Sequence, residues 1–303
     1  MENFILTWGG PIFIALIIIE IIFTLMYDRD VYKWKDFAAS SFMGVGASAL
    51  QLLFAKAMTL GFFILAYEFF NPIVDGVRTN FLGYEAFGWS WLILIICQIC
   101  DDFSYYWYHR ANHEIRLFWA AHIVHHSSEN FNLGTGIRNG WFTLLYKPLF
   151  YVWMPIIGFD PWMVIACMAI ESLWQFQLHT HFVTRLGIFE KIFNTQRHHH
   201  VHHARNLAYL DKNHGGYLIL FDKWFGTYQD LDEKQETDFG VLHPPKNDNP
   251  WEILTHEYVH IWDDVRQSST WKERFMYIFG PPGWSPDGSR KTVKQMQREA
   301  GLA

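Results

Sequence analysis

The sequence predicts an all-α integral membrane fold: a helical bundle of about five membrane-embedded helices, with a cytoplasmic helical cap that carries a histidine-rich dimetal site. Three observations predict it. Half of the 303 residues are hydrophobic and 18% are charged, and the apolar ones gather in runs long enough to cross a bilayer. Sixteen histidines are present, and twelve of them lie between His109 and His203 at helical spacing. The basic residues fall almost wholly on one side of the apolar runs.

A helix that crosses a bilayer needs about 20 largely apolar residues. Asn3 to Tyr27 supplies them with one charge, Glu20, and Ser41 to Phe70 with Lys56 and a terminal Glu68. Ala86 to Cys100 is uncharged and runs into Asp101-Asp102, an aromatic stretch and then histidines. Trp141 to Ile157 carries only Lys147, followed by Pro148; Pro161 to Leu178 carries only Glu171. The N-terminus lacks the basic region of a secretory signal, so it reads as a span. Glu20 and Lys56 read as hydrogen-bonding contacts between helices. Cys97, Cys100 and Cys167 lie within apolar runs and read as buried small hydrophobes.

With the N-terminus outside, the loop Asp28–Ser40 is cytoplasmic and holds Arg29, Lys33 and Lys35, while the outside loop Asn71–Glu85 holds only Arg78. That asymmetry follows the positive-inside rule. The chain divides into membrane helices over 1–88, a catalytic segment over 89–230 and a cytoplasmic segment over 231–303. A net charge of −6 offers no basic field, which excludes nucleic acid as a natural partner.

Polar residues inside the apolar runs mark a site. Glu171, Gln175 and His179 form one helix stripe, and Asp102, Tyr106, His109 and His113 share another face. The histidines recur as HRANH (His109, His113), HIVHH (His122, His125, His126), QLHTH (His179, His181) and RHHHVHH. The last contains His199, His202 and His203, flanked by His198 and His200. Residues three or four apart on a helix project from one face, so each cluster can aim two or three imidazoles at one point. Neutral imidazole suits iron, zinc, copper or nickel. Eight or nine such groups suit two adjacent metals. His181 faces away from His179, and the parts of His198, His200 and His214 stay open.

Two rival readings exist. A non-enzymatic membrane metal-binding or transport protein would also be rich in histidine. His256-Glu257-Tyr-Val-His260 matches the HExxH pattern of zinc proteases, but sits in an amphipathic helix with no third ligand after it.

The stretches YYWYHRANHE, WAAHIVHHSSENFNL, WQFQLHT, NTQRHHHVHHARN and LDKNHGG, in that order between about Trp91 and Tyr228, resemble the fatty acid hydroxylase and sterol desaturase superfamily. Their HHSSE-x-x-N and DKN-x-G-G elements look most like its alkylglycerol monooxygenase and bacterial sterol-desaturase-like branch. The resemblance implies a membrane di-iron enzyme that uses dioxygen to hydroxylate or desaturate a sterol, fatty acyl or ether lipid. It implies metal ligation by His109, His113, His122, His125, His126, His179, His199, His202 and His203, and a functional Glu114. Ligating histidines usually pass their second ring N–H to an acceptor, and Asp102, Glu114 and Asn206 are the polar neighbours in sequence. The chain departs from the family pattern at Gln196-Arg197, at His200 and at His214, which replaces a tyrosine. At Val183 the 2-hydroxylases carry a histidine. No haem, flavin or iron–sulfur motif is present, so electrons come from a separate reductase chain or a tetrahydropterin.

Overall fold

The computed structural model describes residues 2–27, 30–182 and 185–302. Arg29, Val183 and the side chain of Lys56 therefore lie outside the described residues. The regular structure of the described residues is helical apart from one short hairpin, as expected. Helix α1 covers Glu2–Met26; α2 (Trp34–Leu50) passes through a π-helical segment, Gln51–Ala55, into α3 (Lys56–Phe70). A hairpin of β1 (Ile73–Val74) and β2 (Val77–Arg78) follows, with Ile73 opposite Arg78. Asp75 and Gly76 turn it at φ 51° and 82°, the left-handed region that glycine enters without steric cost.

Ser90 starts the helix that positions the site. Its side chain accepts the N–H of Ile93, so α4 begins at Trp91 and runs 24 residues to Glu114, about 36 Å. The first half of α4 packs Cys97 with Phe63, Tyr151, Met154, Met163 and Cys167 in the largest apolar cluster. The last half carries His109 and His113, both buried. Apolar anchoring and the histidine display thus occupy one rigid rod. Ile115 breaks it in extended conformation, and α5 (Arg116–His126) turns back against α4.

Beyond α5 come α6 (Leu133–Gly136), α7 (Thr143–Tyr146), a 3₁₀ turn over Lys147–Phe150, and α8 (Trp153–Ile156). Trp141 to Ile157 is therefore not the continuous span expected. Pro148 and Pro155 each remove a backbone donor and interrupt the helix. Helix α9 (Pro161–Gln177) starts where the Asp160 carboxylate accepts the N–H groups of Trp162 and Met163, with Pro161 at the first helical position. Then follow α10 (Gln196–His203), α11 (Leu220–Phe225), α12 (Pro250–Gln267), α13 (Trp271–Phe279) and α14 (Val293–Glu299). Among the described residues one helix, Trp34–Phe54, is long and apolar enough to cross a membrane, and Gly10–Met26, Ala57–Phe70 and Thr143–Ile157 are shorter apolar stretches. The three cysteines form no disulfide; Cys97 and Cys167 are buried.

The C-terminal helices fold onto the histidine helix. α12 and α13 pack on α5, where the buried Arg116 donates to Glu257 at 2.7 Å and Asp264 at 2.5 Å. On the other flank, buried Arg138 donates to Asp36 of α2 at 2.6 Å, to the Ser127 hydroxyl and to the Val124 carbonyl. Asp36 also accepts from the Ser128 hydroxyl. Removing one partner of a buried, hydrogen-bonded ion pair costs about 3–5 kcal/mol because the other charge is stranded. Asp36→Ala is therefore expected to lower the thermal unfolding transition markedly in detergent. An unchanged transition would show that the pair contributes nothing.

Candidate metal centre

Four helices converge their polar ends on one buried volume. α4 brings His109 and His113, α5 brings His122, His125 and His126, α10 brings His199, His202 and His203, and His179 lies two residues beyond α9. α10 exists because Thr195 caps it: its side chain bonds the backbone at the third helical residue, and the His198 ring reaches back to the Thr195 N–H at 3.3 Å. That cap occupies His198.

The ligating atoms of His109, His113, His122, His126 and His202 lie within 4.8 Å of one another, and so do those of His125, His179, His199 and His203. The nine histidines carried over from the resemblance thus fall into two adjacent groups, five and four. The groups touch: the rings of His126 and His203 stack with centroids 4.3 Å apart. His181 and His200 stand outside both groups, and the His200 Nε2 faces the Thr180 carbonyl at 3.3 Å. His214 lies outside them too, though its ring is 4.9 Å from that of His113.

The chemistry of these rings fits metal. His125 donates from Nδ1 to the Arg138 carbonyl at 3.0 Å, and His179 from Nδ1 to the Gln175 carbonyl at 2.9 Å. A neutral imidazole that donates at Nδ1 presents a bare lone pair at Nε2. Those two Nε2 atoms are 3.0 Å apart, and the His199 Nε2 is 3.0 Å from that of His179. His109 repeats the pattern, with Nδ1 on the His214 carbonyl and Nε2 at 3.0 Å from the Nε2 of His122. Nε2 of His113, His202 and His203 is buried without a partner. Lone pairs held this close repel unless a cation lies among them.

Protonation does not relieve the repulsion. Burial first, and then the neighbouring imidazoles, hold His109, His122, His126, His199, His202 and His203 well below the ordinary histidine range. Burial pushes His125 down to about 4. Neutral imidazole is the form that binds metal.

The three polar residues singled out for orienting the histidines do other work. Asp102 accepts the backbone N–H groups of Tyr217 and Leu218 at 2.8 and 2.9 Å. Glu114 pairs with Arg110 and Lys294 at 3.2 and 3.1 Å. Asn206 holds Glu236 and Asp238 backbone groups. Sequence proximity misleads here because residues adjacent on a helix point in different directions. The orienting acceptors are instead the carbonyls of Arg138, Gln175, Lys212 and His214, together with the Asp211 carboxylate, 3.3 Å from the His113 Nδ1. Asp211 sits in the DKN element, where it and Asn213 adopt φ 56°, a conformation that Asp and Asn tolerate better than most residues. That turn was the signal available in the sequence. Asp102 and Asp222 hold the loop behind it: Asp222 accepts the His214 and Gly215 N–H groups at 2.7 Å. Gly216 is required there, because a Cβ would come within 2.2 Å of Glu171 and 2.4 Å of Asp102.

The HExxH motif assembles no comparable site. Glu257 is committed to Arg116, His260 is largely exposed, and the His256 and His260 rings are 6.0 Å apart.

Two outcomes follow from this geometry. Asp211→Ala is expected to weaken metal binding about 10–100-fold, as measured by competition with a chromophoric chelator. Unfolded histidines titrate near 6.5 while His125 titrates near 4 in the fold, so the unfolded state binds more protons as pH falls. The metal-free protein should therefore lose stability steadily from about pH 6.5 towards pH 4, read by thermal unfolding across that range.

Comparison with known proteins agrees with this architecture. The fatty acid hydroxylase family matches residues 94–227. Human alkylglycerol monooxygenase is 33% identical over 281 residues, which cover 92% of this chain and 60% of the relative. The ornithine lipid hydroxylase OlsE of Rhizobium tropici is 27% identical over 57% of this chain and 54% of its own. A Delta(7)-sterol 5(6)-desaturase of Gibberella zeae is 21% identical over 55% of this chain and 51% of its own. The chain spans about 60% of the length of the alkylglycerol monooxygenases it matches most fully. No solved structure matches it. Residues 94–227, which hold all nine clustered histidines, are the stretch similar to the fatty acid hydroxylase family.

Proposed function

We propose that this protein is a membrane-bound, non-haem di-iron monooxygenase that hydroxylates a C–H bond of a lipid, with an ether lipid of the alkylglycerol type as the first candidate substrate. The observation that carries the reading is the pair of adjacent histidine groups, in one of which the bare Nε2 lone pairs of His125 and His179 face one another across 3.0 Å. The name shared by three relatives at 30–33% identity supports the substrate class. The overall reaction consumes the lipid, O₂, two electrons and two protons, and yields the lipid alcohol and water. Two irons would be held by the five-histidine and four-histidine groups, and when bound they supply the oxidising power for an unactivated C–H bond, which no side chain supplies.

The chain's own residues then bind, orient and shield. Backbone carbonyls and Asp211 fix which ring nitrogen is bare. Burial keeps the imidazoles neutral and water out. Phe131, whose ring lies within 6.1 Å of those of His179, His199 and His203, forms an apolar wall over the four-histidine group. We read segment 1–88 as membrane helices, 89–230 as the catalytic segment, and 231–303 as the cytoplasmic part that clamps α5. The centre would lie at the cytoplasmic ends of the spans, where a lipid enters from the bilayer and a separate reductase or a tetrahydropterin delivers electrons. Hydroxylation is favoured over desaturation by three alkylglycerol monooxygenases, which match at 30–33% identity over 92% of this chain, against 21–22% identity over 55–76% for two sterol desaturases.

Lipid mass spectrometry of cells with and without the gene tests this. A product heavier by one oxygen is expected, and His125→Ala or His202→Ala should reduce it to background. A product lighter by two hydrogens would assign desaturation instead. Purified protein with no bound iron after iron supplementation would overturn the proposal.

A further inference from the structure

The helices that clamp α5 carry a second apolar face, turned away from it. The packed face of α12 holds Ile253, Glu257 and Ile261, all buried, and Asp264; Glu257 and Asp264 there pair with Arg116. Trp251, Thr255, Tyr258, Trp262 and Val265 recur every three or four residues and form a separate stripe. Trp251 and Trp262 on it are 57% and 61% exposed. The Thr255 hydroxyl donates to the Trp251 carbonyl at 2.6 Å, so it asks nothing of solvent. α13 repeats the design. Tyr277 faces Arg116, its ring centroid 5.9 Å from the guanidinium, while Trp271, Phe275 and Phe279 line another side at 82%, 60% and 45% exposure.

At about 200 Å² per aromatic side chain, these three tryptophans and two phenylalanines together expose on the order of 600 Å². That is more than a water-facing surface usually carries, and less than the roughly 800 Å² per partner of a stable protein–protein interface. Tryptophan is the residue that gathers at the headgroup level of a bilayer. The stripe is also continuous with the one helix among the described residues that is long and apolar enough to cross a membrane. The Trp251 ring lies 5.9 Å from that of Phe42 on α2, and Tyr258 lies 5.0 Å from Phe142, just before α7. Phe42 and Phe142 are themselves about half exposed. Phe42 stands eight residues beyond Trp34, where α2 starts, which is about 12 Å along the helix. Trp251 therefore meets α2 in its first half, the depth of a headgroup boundary and not of a bilayer centre. Arg266, in the last turn of α12, and Lys272, in the first turn of α13, are exposed beside the stripes, and their long side chains can reach lipid phosphates.

We infer that α12 and α13 lie in the membrane interface, with Trp262, Trp271 and Phe275 seated where lipid headgroups meet acyl chains. The pair that holds Arg116 is then itself held by lipid, and the position of α5 is tied to the bilayer surface as well as to α4. This inference rests on the reading of α2 as a span and is independent of the reaction.

Spin labelling of the full chain in phosphatidylcholine nanodiscs tests it. Nitroxides are attached at Trp262→Cys and Phe275→Cys on the stripes, at His260→Cys and Asp263→Cys elsewhere on the exposed side of α12, and at Leu52→Cys beyond α2. The unaltered chain, with its three free cysteines, serves as the blank. All five positions are exposed, so the packed faces stay intact, and an unchanged thermal transition checks this. Relaxation by oxygen, which concentrates in lipid, relative to relaxation by a water-soluble nickel chelate is expected to be several-fold higher at 262 and 275 than at 260 and 263. The unaltered protein gives an independent reading: phosphatidylcholine with a diazirine near the glycerol end of its acyl chain is expected to label segment 262–275. Equal, nickel-dominated relaxation at all four positions, or no lipid labelling, would place both helices in water and overturn the inference. Shielding of 262 and 275 from both reagents would assign the surface to a second copy or another protein, and would overturn it too. A water-exposed label at Leu52 would instead overturn the reading of α2 as a span.

Discussion

The whole molecule is arranged around a repulsion. Nine imidazoles crowd into two touching groups, with lone pair facing lone pair at His125 and His179, and nothing intrinsic to histidine favours that. Each ring must be held from behind. Arg138, Gln175, Lys212 and His214 do so through their carbonyls, and each of those carbonyls is itself fixed by something rigid. Arg138 is locked by Asp36, Gln175 belongs to α9, and the 211–218 loop is pinned by Asp102 and Asp222. The repulsion is the form that binding energy takes before the cation arrives. A site so pre-arranged spends little on reorganisation when it is filled.

Much of this was legible in the sequence because metal-ligand spacing is a helical property. His109 and His113, or His122, His125 and His126, are neighbours on one face whatever surrounds them. The acceptors behind the rings were not legible, for a physical reason: a backbone carbonyl has no residue identity, and which one meets Nδ1 depends on tertiary packing. Asp102 shows how a residue can stand out in the sequence while its contacts do not. Its polarity inside an apolar run marks a site, yet it acts two steps away, on the loop that presents His214. The span expected over Trp141–Ile157 failed for a plainer reason, since apolar composition says nothing of helix continuity and the two prolines do.

Helix α4 combines the two halves of the molecule's character. Within 24 residues it passes from the apolar cluster at Cys97 to the metal-facing rings of His109 and His113. In the proposed function that continuity would matter, because the reacting carbon would come out of a hydrocarbon phase while electrons would come from water. One straight rod sets the position of the histidines relative to the apolar zone, so the offset between the two is a matter of helix length.

Arg116 carries a consequence of a different kind. It stands at the start of α5, buried, and its counter-charges Glu257 and Asp264 arrive more than 140 residues later, beyond the stretch that the family shares. A fragment ending near residue 230 would contain every clustered histidine and yet leave a buried guanidinium without an anion, on the very helix that bears three of them. The boundary of the family-model match is therefore not the boundary of the folding unit. The stretch that the family model matches is, in this chain, half of a clasp.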